Sequence, residues 1–173
     1  MSGNTTHSLD LSICIVGHQR CQMLADCLAS IYQHVQELHF EVIVIDNAST
    51  DGTADMMRTR FPQVRLEVNQ ESHSFAENNN VMLRQAVGRY VLLLNDDTYL
   101  THNAFKVMVD FFDAHPEAGA VGCRDIKGLP QRFGKIIYIL DLIAVFGDWY
   151  GDSDNIRFLK GISPQQIGAD LSG

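Results

Sequence analysis

The sequence predicts an α/β fold with a mainly parallel sheet that carries helices on both faces. Four near-continuous apolar runs recur along the chain, and patterns of helical period lie between them. Apolar runs of this length suit strands that are buried on both sides, and strand–helix alternation is typical of right-handed βαβ units. Composition agrees, because 46% of the residues are hydrophobic and 20% are charged, which is ordinary globular usage.

The predicted strands are short and rich in aliphatic and β-branched side chains. In chain order they are Leu11–Val16, Phe40–Ile45, Val64–Val68 and Tyr90–Leu94. A fifth strand is expected over Ala118–Cys123, where small and apolar residues follow the last helical pattern.

One helix is predicted after each of the first four strands. The first has one apolar face, with residues at i, i+4, i+7 and i+11: Leu24, Leu28, Ile31 and Val35. The second is expected to end before Pro62, and the fourth at His115. The third opens with a capping box, Ser74 to Glu77, and is expected to run to about Gly88.

Charge and motif content exclude several classes of function. The chain has 13 Lys and Arg against 21 Asp and Glu, a net charge of −8. An acidic chain argues against free nucleic acid as a partner, but a divalent cation can still bridge carboxylates to one small phosphate ligand. The sequence has no GxGxxG after the first strand, no GxxxxGK[ST] and no GxSxG. Rossmann dinucleotide binding, P-loop chemistry and the α/β-hydrolase fold are therefore disfavoured.

Cysteine spacing and hydropathy predict the compartment. The four cysteines form no CxxC pair, which favours reduced thiols over a zinc or disulfide framework. The first residues have no signal-peptide core, and the apolar segment Ile136–Phe146 is shorter than the roughly 20 residues that span a bilayer. We therefore expect a cytoplasmic protein. Peripheral binding to the inner face of the membrane, or self-association, through 136–146 is a further hypothesis.

Polar residues follow three of the predicted strands. Gly17–Arg20 follows the first, Asp46–Gly52 the second and Asn95–Asp97 the fourth. Ligands of open parallel sheets bind beyond the carboxyl ends of the strands. These three segments therefore predict one site at that edge of the sheet.

The carboxylates at these strand ends are the main candidates for ligand contacts. Adjacent Asp96 and Asp97 would repel each other unless they are exposed or neutralised, and oxygen ligands of this kind suit Mg²⁺ or Mn²⁺. The alternative is an ordinary strand-terminal turn, for which Asn-Asp-Asp is good chemistry. Asp46 is also aimed at the edge. It is either a ligand contact or a helix cap, a role that Thr50 or Asp51 could take instead.

Two further features are ambiguous. Asn78–Asn80 is a run of poor helix formers just inside the third helix. The three amides either face a ligand near the positive helix end or belong to a frayed, solvated first turn. His18 either stacks on a base or is an ordinary surface histidine. No second His or Cys stands at ligand spacing, so a zinc site is rejected.

Taken jointly, five segments resemble family 2 glycosyltransferases of the GT-A fold, particularly the rhamnosyltransferase-like branch. In family order they are Leu11–Arg20, Phe40–Gly52, Phe75-Ala76 with Asn79-Asn80, Ala86–Thr98 and His115–Gly122. The resemblance implies a GT-A-type nucleotide-binding sandwich. Residues 1–9 would be a flexible segment, residues 10–124 the nucleotide-sugar-binding core, and residues 125–173 an incomplete acceptor-side region.

The resemblance also implies a reaction and its ligands. A hexose would pass with inversion from a UDP- or dTDP-sugar to a glycan or lipid-linked acceptor, with Mg²⁺ or Mn²⁺, in polysaccharide or cell-wall biosynthesis. By position, Asp46 would accept from the pyrimidine N3–H, His18 would stack near the base, and Val16 would line the pocket through its backbone. Asn79 would lie near the nucleotide. Asp96 would contact ribose or metal, and Asp97 would hold the metal.

The catalytic base has no candidate in this sequence. In the family an acidic base follows a Ser-Gly segment that Leu171–Gly173 resembles, so the chain is expected to be truncated, to bind donor and not to transfer sugar. A non-catalytic nucleotide-sugar-binding or partner-docking module is the alternative function. A nucleotidyltransferase is disfavoured, because Gly17–Arg20 lacks the usual glycine-rich loop.

Overall fold

The computed structural model describes residues 8–116 and 118–121, together with the backbone of residues 144–145. The elements, in chain order, are β1 (Leu11–Gly17), α1 (Cys21–His34), β2 (Phe40–Asp46), α2 (Thr53–Arg60), β3 (Arg65–Val68), α3 (Phe75–Gln85), β4 (Tyr90–Asn95), α4 (Ala104–Ala114) and β5 (Ala144–Val145). The first four predicted strands and all four helices are confirmed. The rest of the segment 136–146 and of the acceptor-side region 125–173 lies outside the described residues, as do residues 1–7 of the predicted N-terminal segment.

The strands form one sheet in the order β3-β2-β1-β4-β5. β1 pairs in parallel with β2 and β4, β2 pairs in parallel with β3, and β5 is antiparallel to β4. Gly17 lies opposite Asp46, and Val16 lies opposite Asn95. The carboxyl ends of β1, β2 and β4 therefore meet at one edge of the sheet, as the sequence predicted.

Helices cover both faces of this sheet, which confirms the predicted fold class. Alternate residues of β1 divide between two hydrophobic clusters. Ile13 and Ile15 pack with buried residues of α1, α2 and α4, whereas Cys14 packs with Met82 of α3. Burial on both faces explains why these strands read as continuous apolar runs rather than as alternating ones. No described helix is long and apolar enough to cross a membrane.

The predicted strand over Ala118–Cys123 is wrong for its described part, because residues 118–121 form no strand. A turn at the end of α4 takes its place, in which the Ala118 N–H donates to the His115 carbonyl at 2.9 Å. Val121 gives its side chain to the hydrophobic core without joining the sheet. The edge of β4 pairs instead with β5, through Val91 and Leu92.

α3 begins as predicted and ends earlier than expected. Ser74 Oγ accepts from the Glu77 N–H at 3.3 Å, and Glu77 Oε2 accepts from the Ser74 N–H at 2.9 Å, which completes the capping box. The helix stops at Gln85, before the Gly88 expected from the sequence. There the chain descends onto β1, where the Gly88 N–H donates to Ser12 Oγ at 2.8 Å. A Cβ on Gly88 would lie 2.5 Å from the Ser12 nitrogen, so the close approach requires glycine.

Candidate functional site

The loops after β1 and β2 are joined by hydrogen bonds at the carboxyl edge of the sheet. The Asn47 N–H donates to the Gly17 carbonyl at 2.8 Å, and the Gln19 N–H donates to Ser49 Oγ at 3.0 Å. Gln19 and Ala48 have left-handed backbone conformations, with φ of 54° and 59°, which residues other than glycine seldom adopt. These bonds hold both loops in a costly shape next to Asp46.

Asp46 is fully buried at the end of β2. Its Oδ1 accepts from the Ser49 N–H at 3.1 Å. Among the described residues, Asp46 Oδ2 is the one buried side-chain nitrogen or oxygen atom that has no hydrogen-bond partner. A buried carboxylate oxygen without a donor is costly in free energy, so this atom is prepared to accept a hydrogen bond from a ligand.

Asp46 does not cap α2, because Asp51 contacts the first residue of that helix. Asp51 Oδ1 accepts from the N–H and the hydroxyl of Thr53, and Oδ2 accepts from the Cys21 N–H at 2.8 Å. The Thr53 hydroxyl is the main reason that the pKa of the Asp51 carboxyl lies below its ordinary value. Of the two roles that the sequence left open for Asp46, the capping role is therefore wrong.

His18 and Val16 lie beside Asp46 at the end of β1. The exposed imidazole of His18 donates through Nδ1 to the Asn47 carbonyl at 2.7 Å, which makes Nε2 the acceptor of the neutral ring. Val16 is half-buried and lies opposite Ile45 of β2 and Asn95 of β4. Both residues are therefore at the edge that the sequence predicted for them.

Asp96 and Asp97 follow β4 and share one cation, Arg20 of the loop after β1. Arg20 Nη1 donates to Asp96 Oδ1 at 3.3 Å and to Asp97 Oδ2 at 3.1 Å. The side chain of Asp96 is 10% exposed, that of Asp97 22% and that of Arg20 50%. Burial raises the pKa of the Asp96 carboxyl, the neighbouring charge of Arg20 opposes that shift, and Asp97 adds to it. The acidic pair is thus close and partly neutralised.

The asparagine run does not form a frayed, solvated turn. Asn78 and Asn79 are buried, and both of their amides form hydrogen bonds within the protein. Asn78 Oδ1 accepts from Asn69 Nδ2 at 2.8 Å, and Asn79 Nδ2 donates to the Phe75 carbonyl at 2.8 Å. The amide nitrogen of Asn79 therefore has a partner inside α3. The ligand role of Asn79 stays a prediction.

Asn47 is a site residue that the sequence analysis missed. Its Nδ2 donates to the His73 carbonyl at 3.0 Å and to Ser72 Oγ at 3.1 Å. Its Oδ1 accepts from the His73 N–H at 2.9 Å and from Asn69 Nδ2 at 3.0 Å. One buried amide thereby fixes the loop that leads into α3 to the end of β2. No local pattern marks this role, because all three partners are distant in sequence.

The two adjacent carboxylates suit a cation that arrives with its own ligands. Among the described residues no group of three His, Cys, Asp or Glu side chains could hold a metal ion. Mg²⁺ usually takes only one or two carboxylates from protein and completes its shell with phosphate oxygens and water. Asp96 and Asp97 therefore fit a cation bound together with a diphosphate.

The described cysteines contribute to packing. Cys14, Cys21 and Cys27 are free, and Cys14 and Cys27 are buried. Burial raises the pKa of the Cys14 thiol to about 12 and also raises the pKa of the Cys27 thiol. Neither buried thiol is activated for nucleophilic chemistry, which agrees with the sequence analysis.

The carboxyl edge of the sheet combines two kinds of acidic group. A parallel sheet whose carboxyl edge holds a buried aspartate with one unpaired oxygen and a partly buried acidic pair is suited to bind a nucleobase at one point and a diphosphate at another. Residues 12–158 match the sequence profile of Glycosyl transferase family 2. The chain belongs to this family, as the sequence predicted.

Named relatives of this chain are larger enzymes. Poly(ribitol-phosphate) beta-N-acetylglucosaminyltransferase TarS of Staphylococcus aureus is 33% identical over 109 residues, which cover 60% of this chain and 19% of the relative. Poly-beta-1,6-N-acetyl-D-glucosamine synthase of Staphylococcus epidermidis is 29% identical over 132 residues, which cover 73% of this chain and 31% of the relative. The chain spans between a fifth and a third of the length of these relatives.

Solved structures agree with the fold. The mannosyltransferase PcManGT of Pyrobaculum calidifontis, in complex with GDP-Man and Mn²⁺, has a TM-score of 0.59 and 25% identity, over 70% of this chain and 37% of that one. TarS 1-349 of S. aureus, in complex with UDP-GlcNAc, has a TM-score of 0.58 and 23% identity, over 71% and 37% of the two chains. The GT-A-type fold predicted from the sequence is thereby confirmed.

Proposed function

We propose that this chain binds a UDP- or dTDP-linked hexose at the carboxyl edge of its sheet, together with Mg²⁺ or Mn²⁺. It would be the donor-binding core of an inverting glycosyltransferase. The observation that carries the proposal is the unpaired Oδ2 atom of Asp46, a residue that is fully buried at that edge. Support comes from the family match and from the acidic pair at the neighbouring strand end.

The nucleobase of the donor would be selected by its ring N–H. Uracil and thymine present N3–H as a donor, which Asp46 Oδ2 can accept, whereas cytosine presents an unprotonated N3. His18 would stack near the base, because its exposed ring is oriented by the bond to the Asn47 carbonyl. Val16 would line the same pocket through its backbone, and Asn79 would lie near the nucleotide. This arrangement favours UDP or dTDP over CDP.

The diphosphate would lie near Asp96 and Asp97. Asp97 would hold the divalent cation, and Asp96 would contact either the cation or the ribose. When bound, the cation would neutralise the negative charge that grows on the departing diphosphate. Without a cation, the two carboxylates and the diphosphate would repel one another.

The names of two relatives suggest the acceptor and the cellular setting. One relative is named for transfer to poly(ribitol-phosphate), and the other for synthesis of a polysaccharide. We infer a glycan or lipid-linked acceptor, polysaccharide or cell-wall biosynthesis, and a cytoplasmic location at the inner face of the membrane. Asp46, Asp96 and Asp97 are assigned to base, ribose and metal, so the proton acceptor for transfer would lie outside the described residues.

Calorimetric titration of the 173-residue chain tests the donor site directly. UDP, dTDP and CDP are each titrated with Mn²⁺ and again with EDTA. We expect UDP and dTDP to bind in Mn²⁺, to bind much more weakly in EDTA, and to exceed CDP in affinity. Equal affinity for CDP would contradict the role of Asp46, and equal affinity in EDTA would contradict the role of the metal.

A further inference from the structure

The guanidinium of Arg20 lies between the two carboxylates to which we assign the metal. A single nitrogen, Nη1, is 3.3 Å from Asp96 Oδ1 and 3.1 Å from Asp97 Oδ2. Arg20 is 76 residues before Asp96 in sequence, so the contact exists only because β1 and β4 are neighbours in the sheet. This contact places one positive charge beside both carboxylates.

The charges explain why a cation is needed there. Asp96 is largely buried, and Asp97 follows it directly, so two negative charges are held close together in a partly desolvated place. Arg20 contributes one positive charge to both carboxylates at once. A guanidinium in this position does electrostatically what a bound metal ion would do, with half the charge.

We propose that Arg20 is an internal counter-ion of the acidic pair and competes there with the divalent cation. Its guanidinium contacts both carboxylates to which we assign the divalent cation, so it would have to leave them for the cation to bind. The inference rests on the proposed function, because it assigns a competitor to the metal of that same site. Arg20 therefore lowers the affinity of the acidic pair for free metal.

The local structure allows this displacement. The side chain of Arg20 is 50% exposed, and its bonds of 3.1 and 3.3 Å are longer than the roughly 2.7–2.9 Å of strong charge-assisted bonds. The Arg20 backbone is fixed separately, because its carbonyl accepts from the Leu24 N–H at 3.0 Å at the start of α1. The guanidinium can leave the carboxylates while the helix start keeps its conformation.

The test measures the binding of Mn²⁺ alone to the full 173-residue chain. The electron paramagnetic resonance signal of free Mn²⁺ reports how much of the metal is bound. Four proteins are compared: the unchanged chain, R20Q, R20K and the control R65Q. Arg65 is a matched control, because its side chain is 49% exposed and it forms an ion pair with Glu41, which is not one of the site residues. R20Q and R65Q remove the same charge from the chain.

We expect R20Q to bind Mn²⁺ about two- to fivefold more tightly than the unchanged chain, the range of a partly exposed ion pair. R20K should fall between the two, since it keeps the charge without the planar fork. R65Q should leave the affinity unchanged. Equal or weaker Mn²⁺ binding by R20Q, or an equal gain in R65Q, would overturn the proposal.

A second measurement separates displacement from a general effect of charge. In ¹⁵N-labelled protein, the Nε–H resonance of Arg20 is assigned by its loss in R20Q, and Mg²⁺ is then added. Displacement predicts a large change in this resonance and none in that of Arg65. An unchanged Arg20 resonance at saturating Mg²⁺ would overturn the proposal, even if R20Q binds Mn²⁺ more tightly.

UDP titration in Mn²⁺ on the same samples keeps this inference separate from the proposed function. If UDP binds the unchanged chain and R20Q gains no affinity for Mn²⁺, only the role of Arg20 fails. If UDP binds neither protein, the donor site itself fails, and with it the basis for a metal competitor.

Discussion

The two ends of the sheet treat buried polar groups in opposite ways. Near the amino end, Ser12 Oγ donates to Glu41 Oε1 at 2.7 Å and accepts from the Gly88 N–H at 2.8 Å. Glu41 Oε2 pairs with Arg65 at 3.1 Å, so that the protein itself supplies the partners there. At the carboxyl end, Asp46 keeps an unpaired oxygen. The polar groups around Ser12 and Glu41 thus form a closed network, whereas the network that contains Asp46 is open at one oxygen.

Closed and open polar networks should respond differently to substitution. A closed network stabilises the fold, and changing it should alter the free energy of unfolding and leave ligand affinity alone. An open network costs stability, and changing it should alter ligand affinity first. Substitutions at the two ends of the sheet should therefore separate effects on stability from effects on ligand affinity.

The largest effect is expected at Asp46. In Asp46→Ala the affinity for UDP in Mn²⁺ should fall by about 1.5–3 kcal/mol, roughly ten- to a hundredfold, because a charge-assisted hydrogen bond is lost. Mn²⁺ binding without nucleotide should stay intact. Calorimetry measures both, and thermal unfolding provides the control. A loss of stability with unchanged UDP affinity would show that Asp46 is a structural residue.

The reverse result is expected at the closed end. Ser12→Ala should lower the free energy of unfolding by about 1–3 kcal/mol, because Glu41 and the Gly88 N–H lose a buried partner. UDP affinity should not change, since Ser12 lies at the far end of β1. Urea unfolding followed by circular dichroism measures the stability. Comparable losses of UDP affinity in this variant and in Asp46→Ala would remove the distinction between the two ends.

A smaller effect on affinity is expected at the acidic pair. Asp97→Asn removes one anionic ligand, so UDP affinity should depend less on Mn²⁺ than in the unchanged chain. The ratio of affinities in Mn²⁺ and in EDTA is the measured quantity. Asp55→Asn is the control, because Asp55 is 89% exposed and pairs only with Arg58 among the ion pairs described. A ratio that stays the same in Asp97→Asn would exclude this residue from the metal site.

The smallest effect concerns acid stability at Asp51. The pKa of this carboxyl is lowered from the ordinary value of 3.8, chiefly because the Thr53 hydroxyl donates to it. A lowered pKa in the folded state gives stability that is present above the unfolded value and is lost as pH falls through the folded one. As the pH falls below about 4, the free energy of unfolding should therefore decrease less for Asp51→Asn than for the unchanged chain. Parallel pH curves would contradict this.

Much of the fold could be predicted because its signals are local. Strands such as Leu11–Gly17 are mostly apolar because both faces of the sheet are covered, and the capping box at Ser74 depends on two residues that are three apart. The fifth strand of the sheet could not be predicted, and the strand expected over Ala118–Cys123 does not form in its described part. Val121 is apolar because it packs on the core, and the sequence does not tell that contact from a strand.

The site could be predicted only in part, for a related reason. Asp46, Asp96 and Asp97 end apolar strands, and parallel strands bring their carboxyl ends together whatever the details of packing. The roles of Arg20 and Asn47 depend on contacts with residues 76 and 26 positions away in sequence. Such contacts follow from the order of strands in the sheet, which the local patterns do not specify.

A modified ligand, used together with the Asp46→Ala variant, tests whether Asp46 Oδ2 accepts a hydrogen bond from the N–H of a nucleobase. UDP and its 3-methyluridine analogue, which lacks the N3–H, are titrated in Mn²⁺ against the unchanged chain and Asp46→Ala. The unchanged chain should bind UDP about tenfold or more tightly than the analogue, and Asp46→Ala should bind the two alike. Equal affinity of the unchanged chain for both ligands would contradict the account.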